Sequence, residues 1–444
     1  MLAQPQLLWT QPRLPSADFT PEDPLAIDYL GQQVGNWLWP GFTTRTSRTG
    51  YYVMVVYGLK VAEELIAEHG LPRTDATVRL IFERWEKLWA LAICSSYGGE
   101  VPVEDGLRGL RGTQRYFEEA ADGEFHLDFR LLARQLELGA LGAYLTSLRA
   151  HGLVAEHRLR PSPLGAQLAD CMWGGKDSVH NASHHFVLQN LAPDTRTVKQ
   201  QVGQVTLRSL GVRARLSHLA NRNDLRDLLW RRLFTNHPPP EELAFLPVMA
   251  ERLAAAHHDG VFLAHPFLDG LLAGKWGPIH PKLREVVSTA SDFGDLSAHL
   301  RAAFDRAYRA VLDGGLQAPF AEVADQAFPP EDREDLSRIL DTWRANHEAH
   351  RRFSTLATHG PGFLTVLRSM AVDDPQSALS SLLDLHLRVQ RDRGNRSSWI
   401  RRDGNLVLLE MAGYSRWSLD PSEWVVGYKQ GAMRQILRDL GRIS

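Results

Sequence analysis

Helical periodicity constrains this chain more than any other feature of its sequence. Residues 50–69 form a mostly apolar run that is followed by Gly70 and then Pro72, the residue types that end helices. Residues 77–92 repeat apolar side chains three and four positions apart, as one buried helix face requires. The same spacing recurs along most of the chain, so the sequence predicts a mainly α-helical protein.

The length and composition of the chain predict several folded domains. With 444 residues the chain is too long for one ordinary core, and two to four domains are expected. Its 44% hydrophobic and 23% charged residues are typical of folded domains rather than of disordered chains. The formal net charge is −2, so binding to nucleic acid or to an anionic membrane depends on local basic patches.

Cysteines and apolar segments indicate the compartment. Cys94 and Cys171 are the only two cysteines, and they provide neither a disulfide framework nor zinc-ligand spacing. Residues 1–19 lack the basic and apolar regions of a signal peptide, and the run from Tyr51 to Leu59 is far shorter than a membrane span. We therefore expect a cytoplasmic protein with no membrane association, no metal and no cofactor.

A winged-helix pattern occupies residues 111–175. Two helical patterns, at 128–137 and 140–150, precede a short strand, a hairpin wing at 157–160 and a third helix that Pro163 opens. This order resembles the winged helix-turn-helix modules of bacterial regulators. DNA contact, protein docking and a purely structural wing are the alternatives for this module.

The DNA-binding interpretation of the module depends on its arginines. The outer face of its second helix has a single charged residue, Arg149, whereas base-reading helices usually carry more polar side chains. Contacts to the DNA backbone would therefore come from four arginines outside that helix, namely Arg130, Arg134, Arg158 and Arg160.

The C-terminal part of the chain differs from the rest. Residues 398–414 have strand composition on both sides of Asp403-Gly404, which predicts a hairpin. Asp420, with Pro421 and Glu423 behind it, predicts the start of a helix that runs to Leu440. The predicted fold class is mainly α and multidomain, with an embedded winged helix-turn-helix-like module and a small C-terminal α/β element of hairpin plus helix. Four segments are predicted: a helical domain at 1–110, the module at 111–175, a helical domain at 176–380 and the basic hairpin–helix element at 381–444.

Basic residues are clustered although the chain is nearly neutral. Arginines supply sequence-independent phosphate affinity, and a nearby Trp can stack on exposed bases. Each cluster can instead pair with acidic segments such as 322–341, and Trp399 can instead fill a small core under the hairpin. Beyond the module, the predicted nucleic-acid-binding residues are Arg45, Arg48, Arg208, Arg213, Arg215, Arg388, Arg391, Arg393, Arg396, Trp399, Arg401 and Arg402.

Catalytic signatures are weak in this sequence. It contains no phosphate loop, no dinucleotide fingerprint and no nucleophile elbow. His180 and His184 have the spacing of a metal-binding pair on a helix, but no acid completes a known motif, and no metal site is predicted. Arg344 and His350 fit the loose R-x₄₋₆-H signature of HEPN ribonucleases on a helix predicted at 336–353, which leaves a metal-independent ribonuclease as an alternative.

The segment that precedes the first long helix is rich in hydroxyl groups and arginine. Residues 41–49 contain five Thr or Ser side chains together with Arg45 and Arg48, and Thr49 is the predicted N-cap of the helix. Because a helix N-terminus favours anions, this segment is predicted to be a phosphate-contacting arm.

Two segments resemble a largely uncharacterised bacterial family from phage-defence islands. Its N-terminal PG-T-x-T-x-R-YY signature is similar to residues 38–59, although Gly50 stands where the family has a second arginine. Residues 386–404 also resemble the closing element of that family. The residues that match the N-terminal signature are Pro40, Gly41, Thr43, Thr44, Thr46, Arg48, Tyr51 and Tyr52.

The resemblance implies a multi-gene antiphage defence system with helicase- or nuclease-type partner subunits. Together with the basic clusters, it predicts a non-catalytic nucleic-acid-binding or adaptor subunit, with DNA favoured over RNA. The alternatives are the HEPN-like ribonuclease and a protein scaffold that makes no contact with nucleic acid.

Overall fold

The computed structural model describes residues 23–120, 124–174, 178–235, 244–356, 358–370, 374–394, 398–414, 420, 422–424 and 426–444. Helices dominate these residues, and the strands form one sheet of two strands and one of three. The prediction of a mainly α protein with a small C-terminal α/β element is confirmed. None of the described helices is both long enough and apolar enough to cross a membrane.

The described chain divides into two compact units. Unit 1 contains the described residues up to Leu38 together with Val261–Tyr428, and unit 2 contains Trp39–Gly260 together with Lys429–Ser444. Each unit therefore combines two stretches that are far apart in sequence. Their boundaries do not follow the four predicted segments, because those segments were defined by local breaks and the units by packing between distant stretches.

Unit 1 is a helical assembly with a small sheet. Its three strands are β3 (Gln317–Pro319), β4 (Ile400–Asp403) and β5 (Leu406–Leu409). Its helices are α1 (Ile27–Leu38), α13 (Ala264–Leu272), α14 (Pro281–Asp313), α15 (Phe320–Ala327), α16 (Pro330–Ala345), α17 (His347–Thr355), α18 (Gly360–Met370) and α19 (Pro375–Asp392).

The sheet of unit 1 has the order β3-β5-β4 and is antiparallel throughout. The predicted hairpin is confirmed: Asp403 pairs with Leu406 around a turn whose first residue, Gly404, has a φ of 59° that suits glycine. Ile400, Val407 and Leu409 are buried on one face of the sheet, which packs on α14, α15 and α19. The sequence does not predict β3, because a segment of three residues that ends in proline has no strand pattern.

Unit 2 contains the remaining elements. Its two short strands, β1 (Gln201–Val202) and β2 (Val205–Thr206), form a hairpin. A π-helical turn at Arg231–Thr235 extends the helix at Asn223–Trp230. The helices of this unit are α2 (Gly50–Glu68), α3 (Asp75–Ser96), α4 (Leu110–Glu119), α5 (Gln135–Leu138), α6 (Ala140–Ala150), α7 (Pro163–Asp170), α8 (Ser178–Leu191), α9 (Leu207–Ala214), α10 (Leu216–Ala220), α11 (Asn223–Trp230), α12 (Leu246–His258) and α20 (Gln430–Asp439).

The core of unit 2 is built around α2 and α3. Every residue of α2 from Gly50 to Leu59 is buried, as its apolar run predicts. Two glycines allow the neighbouring helices to approach closely. A Cβ at Gly58 would lie 2.2 Å from the Trp85 ring, and a Cβ at Gly211 of α9 would lie 1.8 Å from the Ala92 carbonyl oxygen of α3.

The winged-helix-like module is formed only in part. The bridge between Val154 and Pro161 closes a wing, and Ser162 caps α7 with a side chain that accepts the Gly165 N–H. The first predicted helix, at 128–137, is wrong: only residues 135–137, which belong to α5, are helical in that range. Phe129 and Leu131 are instead buried in irregular chain made of turns and bends, so their apolar pattern reflects burial rather than a helix.

Two other predicted helices are also wrong in extent. The helix predicted at 336–353 breaks at Asn346, whose side chain caps α17 by accepting the Ala349 N–H at 3.0 Å. The predicted C-terminal helix begins at Gln430 rather than at Asp420. Asp420 caps a turn, with its carboxylate accepting the Ser422 N–H at 2.8 Å.

Candidate nucleic-acid interface

The hydroxyl-rich segment before α2 folds on itself. The Thr46 hydroxyl accepts the Thr43 N–H at 2.9 Å and donates to the Thr43 carbonyl oxygen at 3.0 Å. The Thr43 hydroxyl in turn accepts the Arg45 N–H at 3.2 Å. These hydroxyls therefore close a local turn, and only Thr44 and Arg45 are exposed in this part of the segment.

The N-terminus of α2 holds an anion that belongs to the protein itself. The Asp439 carboxylate accepts the Thr49 N–H at 2.9 Å and the Arg48 Nε–H at 3.1 Å. Arg48 also donates to the carbonyl oxygens of Glu104 and Asp105, and its side chain is 12% exposed. Thr49 makes no side-chain cap. Thr49 therefore occupies the predicted N-cap position without capping through its side chain, and Arg48, predicted as a phosphate contact, is instead held by Asp439 of α20.

Arg45 remains exposed and lies beside a loop that the sequence predictions missed. In the Gly-Leu-Arg loop (residues 106–112, GLRGLRG), Gly106 and Gly109 have φ values of 72° and 71°, a conformation that favours glycine. Arg108 of this loop donates to the Arg45 carbonyl oxygen at 2.5 Å and to the Leu138 carbonyl oxygen at 3.2 Å. The repeated Gly-Leu-Arg triplet is the sequence signal that could have identified it.

The tyrosines of the N-terminal signature support this loop and α6. The Tyr51 hydroxyl accepts the Arg108 N–H at 2.6 Å, and the Tyr52 hydroxyl lies 2.6 Å from the Ser147 Oγ. Both rings are buried, and burial raises the pKa of each hydroxyl above its usual range. The two tyrosines are thus neutral supports rather than reactive groups.

A third basic segment packs against the same loop. A Cβ at Gly112 would lie 2.6 Å from the Leu131 carbonyl oxygen and 3.1 Å from that of Arg130, so the start of α4 touches this segment. Arg130 is exposed, and Arg134 pairs with Glu137 at 3.2 Å with both side chains largely exposed. We call these neighbouring arginines the Arg45 surface: Arg45, Arg108, Arg111, Arg130 and Arg134.

The second helix of the module, α6, is partly covered. Ala143 and Ser147 are buried, and Ser147 contacts Tyr52, whereas Thr146 and Ala150 are exposed. Base readout by α6 would therefore depend on few side chains. In the wing, Arg158 and Arg160 are exposed. Glu86, buried within unit 2, accepts the Ala140 N–H at 2.6 Å and so caps α6 from α3.

The basic block near α9 is divided between surface and core. Arg208 is exposed. Arg213 donates to the Ser183 hydroxyl at 2.8 Å. Arg215 donates to the Ser96 hydroxyl and lies 3.7 Å from the centre of the Tyr97 ring. Arg213 and Arg215 therefore support internal contacts of unit 2.

The C-terminal cluster is divided in the same way. Trp399 is 1% exposed under the hairpin, so its ring cannot stack on a base, and that prediction is wrong. Arg393 donates to the Asp23 carbonyl oxygen. Arg401 donates to Glu410 at 2.5 Å. The exposed members are Arg388, Arg391 and Arg402, and Arg396 lies outside the described residues.

The two residues of the ribonuclease alternative lie on different helices. Arg344, at the end of α16, pairs with Asp341 at 2.8 Å and lines a cleft of about 390 Å³. His350, on α17, packs on the Trp343 ring, and burial lowers the pKa of its imidazole. His350 is not among the described residues that line this cleft, and the ribonuclease alternative stays a prediction.

The predicted histidine pair does not form a described metal site. His184 lies between Tyr57, whose hydroxyl is 2.9 Å from Nδ1, and Glu64, whose carboxylate is 2.8 Å from Nε2. The side chain of His180 lies outside the described residues. Across the described part of the chain, no three His, Cys, Asp or Glu side chains are grouped so that they could hold a metal ion.

Compared with known proteins, the chain matches no family model, no curated protein and no solved structure. The Arg45 surface is therefore characterised by its own geometry alone. It combines five arginines on three adjoining segments: Arg108 is half-buried and donates to two carbonyl oxygens, Glu137 pairs with Arg134, and the exposed acids near these segments in sequence include Glu104 and Asp128.

Proposed function

We propose that this chain is a non-catalytic nucleic-acid-binding subunit and that the Arg45 surface is its contact with the phosphate backbone. The observation that carries the proposal is the position of Arg108, which joins the Arg45 segment to the Leu138 segment by two hydrogen bonds. It holds three arginine-bearing segments side by side. Their guanidinium groups can contact successive phosphates without reading bases.

Binding of this kind is electrostatic and independent of base sequence. Displaced counterions make the affinity fall steeply with salt, so the slope of log K against log salt reports the number of phosphates contacted. The burial of Ala143 and Ser147 on α6 supports the absence of base readout. We propose DNA as the preferred ligand over RNA.

The cellular setting is part of the proposal. The resemblance of residues 38–59 and 386–404 to the phage-defence family supports a role in a multi-gene antiphage system. Helicase- or nuclease-type subunits would supply the catalysis, and the chain would act in the cytoplasm beside them.

The test compares two triple variants of the full chain by fluorescence anisotropy. Arg45, Arg111 and Arg130 are replaced by Ala in the first variant, and labelled 20-nucleotide single-stranded DNA, duplex DNA and RNA are the probes. Loss of three phosphate contacts should flatten the salt slope on duplex DNA by about 2.7 and weaken binding about tenfold or more at 0.1 M salt.

The second variant removes the same charge from unit 1. It carries Ala at Arg309, Arg338 and Arg351, three arginines that are each more than half exposed and that pair with neighbouring acids. Wild-type affinity in this control, together with weaker binding in the first variant, supports the Arg45 surface. Equal weakening in both variants, or no binding by the wild type, contradicts the proposal.

A further inference from the structure

One edge of the unit 1 sheet, formed by β4, is exposed at its end near the turn. The Phe320 N–H donates to the Asn405 carbonyl oxygen and the Leu409 N–H donates to the Leu316 carbonyl oxygen, so the odd-numbered residues of β5 face β3. The Glu410 N–H donates to the Trp399 carbonyl oxygen, so the even-numbered residues face β4. Hydrogen bonding in an antiparallel pair alternates along each strand. The pattern therefore fixes which groups of β4 point away from β5.

The outward groups of β4 belong to Ile400 and Arg402. Arg401 and Asp403 exchange hydrogen bonds with β5, whereas the backbone N–H and C=O of Ile400 and Arg402 point to the opposite side. No described residue bonds to these four groups. Ile400 is fully buried, so the accessible groups are the N–H and C=O of the exposed Arg402, and an unpaired residue on an edge strand can pair with a further strand.

A groove runs along this edge. Its volume is about 340 Å³, and it is lined on one side by Ile400, Arg401 and Arg402. Side chains of both faces of β4 take part, because successive residues of a strand point to opposite faces, so the groove follows the edge itself. The opposite wall is one stripe of α19, formed by Ser380, Leu383, Asp384, Leu387 and Arg391.

The two walls of the groove offer different contacts. On the α19 wall, Leu383 and Leu387 supply apolar contacts along two successive turns of the helix. The edge of β4 supplies backbone hydrogen bonds. A helix beside an open strand edge is the arrangement in which peptides bind by strand addition, with backbone bonds giving affinity and side-chain contacts giving specificity.

The charges of the groove favour an acidic ligand. Arg391 and Arg402 are exposed and form no described ion pair, and the Arg402 guanidinium lies over the Phe320 ring at 3.9 Å. Arg401 is neutralised by Glu410. Asp384 is the remaining exposed acid, so the unpaired charge along the groove is positive.

We propose that the groove between α19 and β4 binds an extended acidic segment of a partner protein as an added strand beside β4. Alternate residues of that segment place carboxylates near Arg391 and Arg402 and apolar side chains on Leu387. This interaction uses unit 1 only, so it stands or falls independently of nucleic-acid binding by the Arg45 surface of unit 2.

The probe is a fluorescein-labelled octapeptide that alternates glutamate and valine, and binding to the full chain is followed by anisotropy. A matched peptide with lysine in place of glutamate should bind at least tenfold more weakly. Two N-methylated peptides test the backbone bonds. Methylation of every second amide in one register should abolish binding, and methylation in the other register should not, because only alternate amides face β4.

Two variants at one position separate the backbone from the charge. Arg402→Ala removes the guanidinium and keeps the outward N–H, whereas Arg402→Pro removes both, and proline is tolerated on an edge strand. Arg402→Pro should bind the acidic peptide at least tenfold more weakly than Arg402→Ala. Arg391→Ala should weaken binding without changing the response to N-methylation. Circular dichroism and thermal unfolding verify that each variant is folded.

Three outcomes would overturn the proposal. They are equal binding of the acidic and basic peptides, equal affinity of folded Arg402→Ala and Arg402→Pro, and insensitivity to N-methylation in either register. A different result would assign the groove to nucleic acid instead. In that case no peptide binds, and a 20-nucleotide oligothymidine binds to the wild type but not to Arg391→Ala. Its affinity is then the same for Arg402→Ala and Arg402→Pro.

Discussion

The carboxylate of Asp439 organises the start of α2. It accepts hydrogen bonds from Arg48 and Thr49 of one segment and from Gln435 of its own helix. The sequence predicts a phosphate contact at this helix N-terminus, since two arginines and several hydroxyls precede it, whereas the anion found there is a side chain of the protein. It could not show that the anion comes from 390 positions away, because side-chain pairing at that separation leaves no local pattern.

Removal of this carboxylate should destabilise unit 2 strongly. In Asp439→Ala the Arg48 guanidinium stays largely buried without its counter-charge, and we expect the free energy of unfolding to fall by about 3–5 kcal/mol. Urea unfolding measures the change. The control is Asp313→Ala, which breaks an exposed pair with Arg309 and should cost less than about 1 kcal/mol. Similar losses in both variants would show that Asp439 has no special role.

His386 should make unit 1 sensitive to acid. Its Nε2 accepts the Trp399 N–H at 2.9 Å, and Nδ1 lies 2.9 Å from the Pro24 carbonyl oxygen, so a neutral ring with its proton on Nδ1 satisfies both partners. Burial lowers the pKa of His386 to about 4, below its usual value.

The direction of the pH effect follows from that difference. The unfolded chain binds the proton near pH 6.5 and the folded chain only near pH 4, so stability falls as pH decreases between these values, by about 3 kcal/mol in total. An NMR titration of the His386 imidazole should show the Nδ1–H tautomer and no protonation above about pH 5. A midpoint near 6.5 would contradict this expectation.

Among the elements, those defined by local signals were predictable. The sequence predicts α2, α3 and the β4–β5 hairpin because apolar spacing, terminal glycines and the Asp-Gly turn act over a few residues. Elements that depend on distant partners were missed or misplaced. β3 exists because β5 pairs with it about ninety residues later, and 128–137 is mostly irregular chain whose apolar side chains are buried without a long helix.

The packing of α3 on α9 depends on the absence of a side chain at Gly211. A Cβ there would lie 1.8 Å from the Ala92 carbonyl oxygen, and backbone cannot move aside cheaply. We expect Gly211→Ala to lower the free energy of unfolding by about 2 kcal/mol or more. Gly431→Ala in α20 is the control, because its Cβ meets nothing within 4 Å and Ala favours helix, so it should be neutral or slightly stabilising. Stabilisation by both substitutions would contradict the close approach.

At the scale of the whole molecule, the two units are each discontinuous in sequence. Composition and breaks indicated several domains, but packing between residues before 260 and residues after 428 has no signature in a single sequence. The candidate site shows the same limit. Its arginines can be read from the sequence. Their grouping, however, depends on the hydrogen bonds that Arg108 donates to the carbonyl oxygens of Arg45 and Leu138.

Unit 2 should therefore require residues 429–444. α20 buries Met433, Ile436 and Leu437 and supplies Asp439, so a protein ending at residue 428 should lose the cooperative thermal transition of unit 2. A synthetic peptide of residues 429–444, added in trans, should restore that transition. The matched peptide with Asp439→Ala should restore it at least tenfold less efficiently, and an unchanged transition in the truncated protein would contradict the assignment of α20 to unit 2.

The interleaved chain also sets an order of events on the ribosome. Residues 261–428 of unit 1 are synthesised only after 39–260. Unit 2 therefore cannot be completed until 429–444, which contain α20, have also been synthesised. During this interval the exposed apolar surface of α2 and α3 is a substrate for chaperones and proteases. A nonsense codon between residues 261 and 428 should therefore reduce the amount of protein as severely as one before residue 261, although 39–260 has been made.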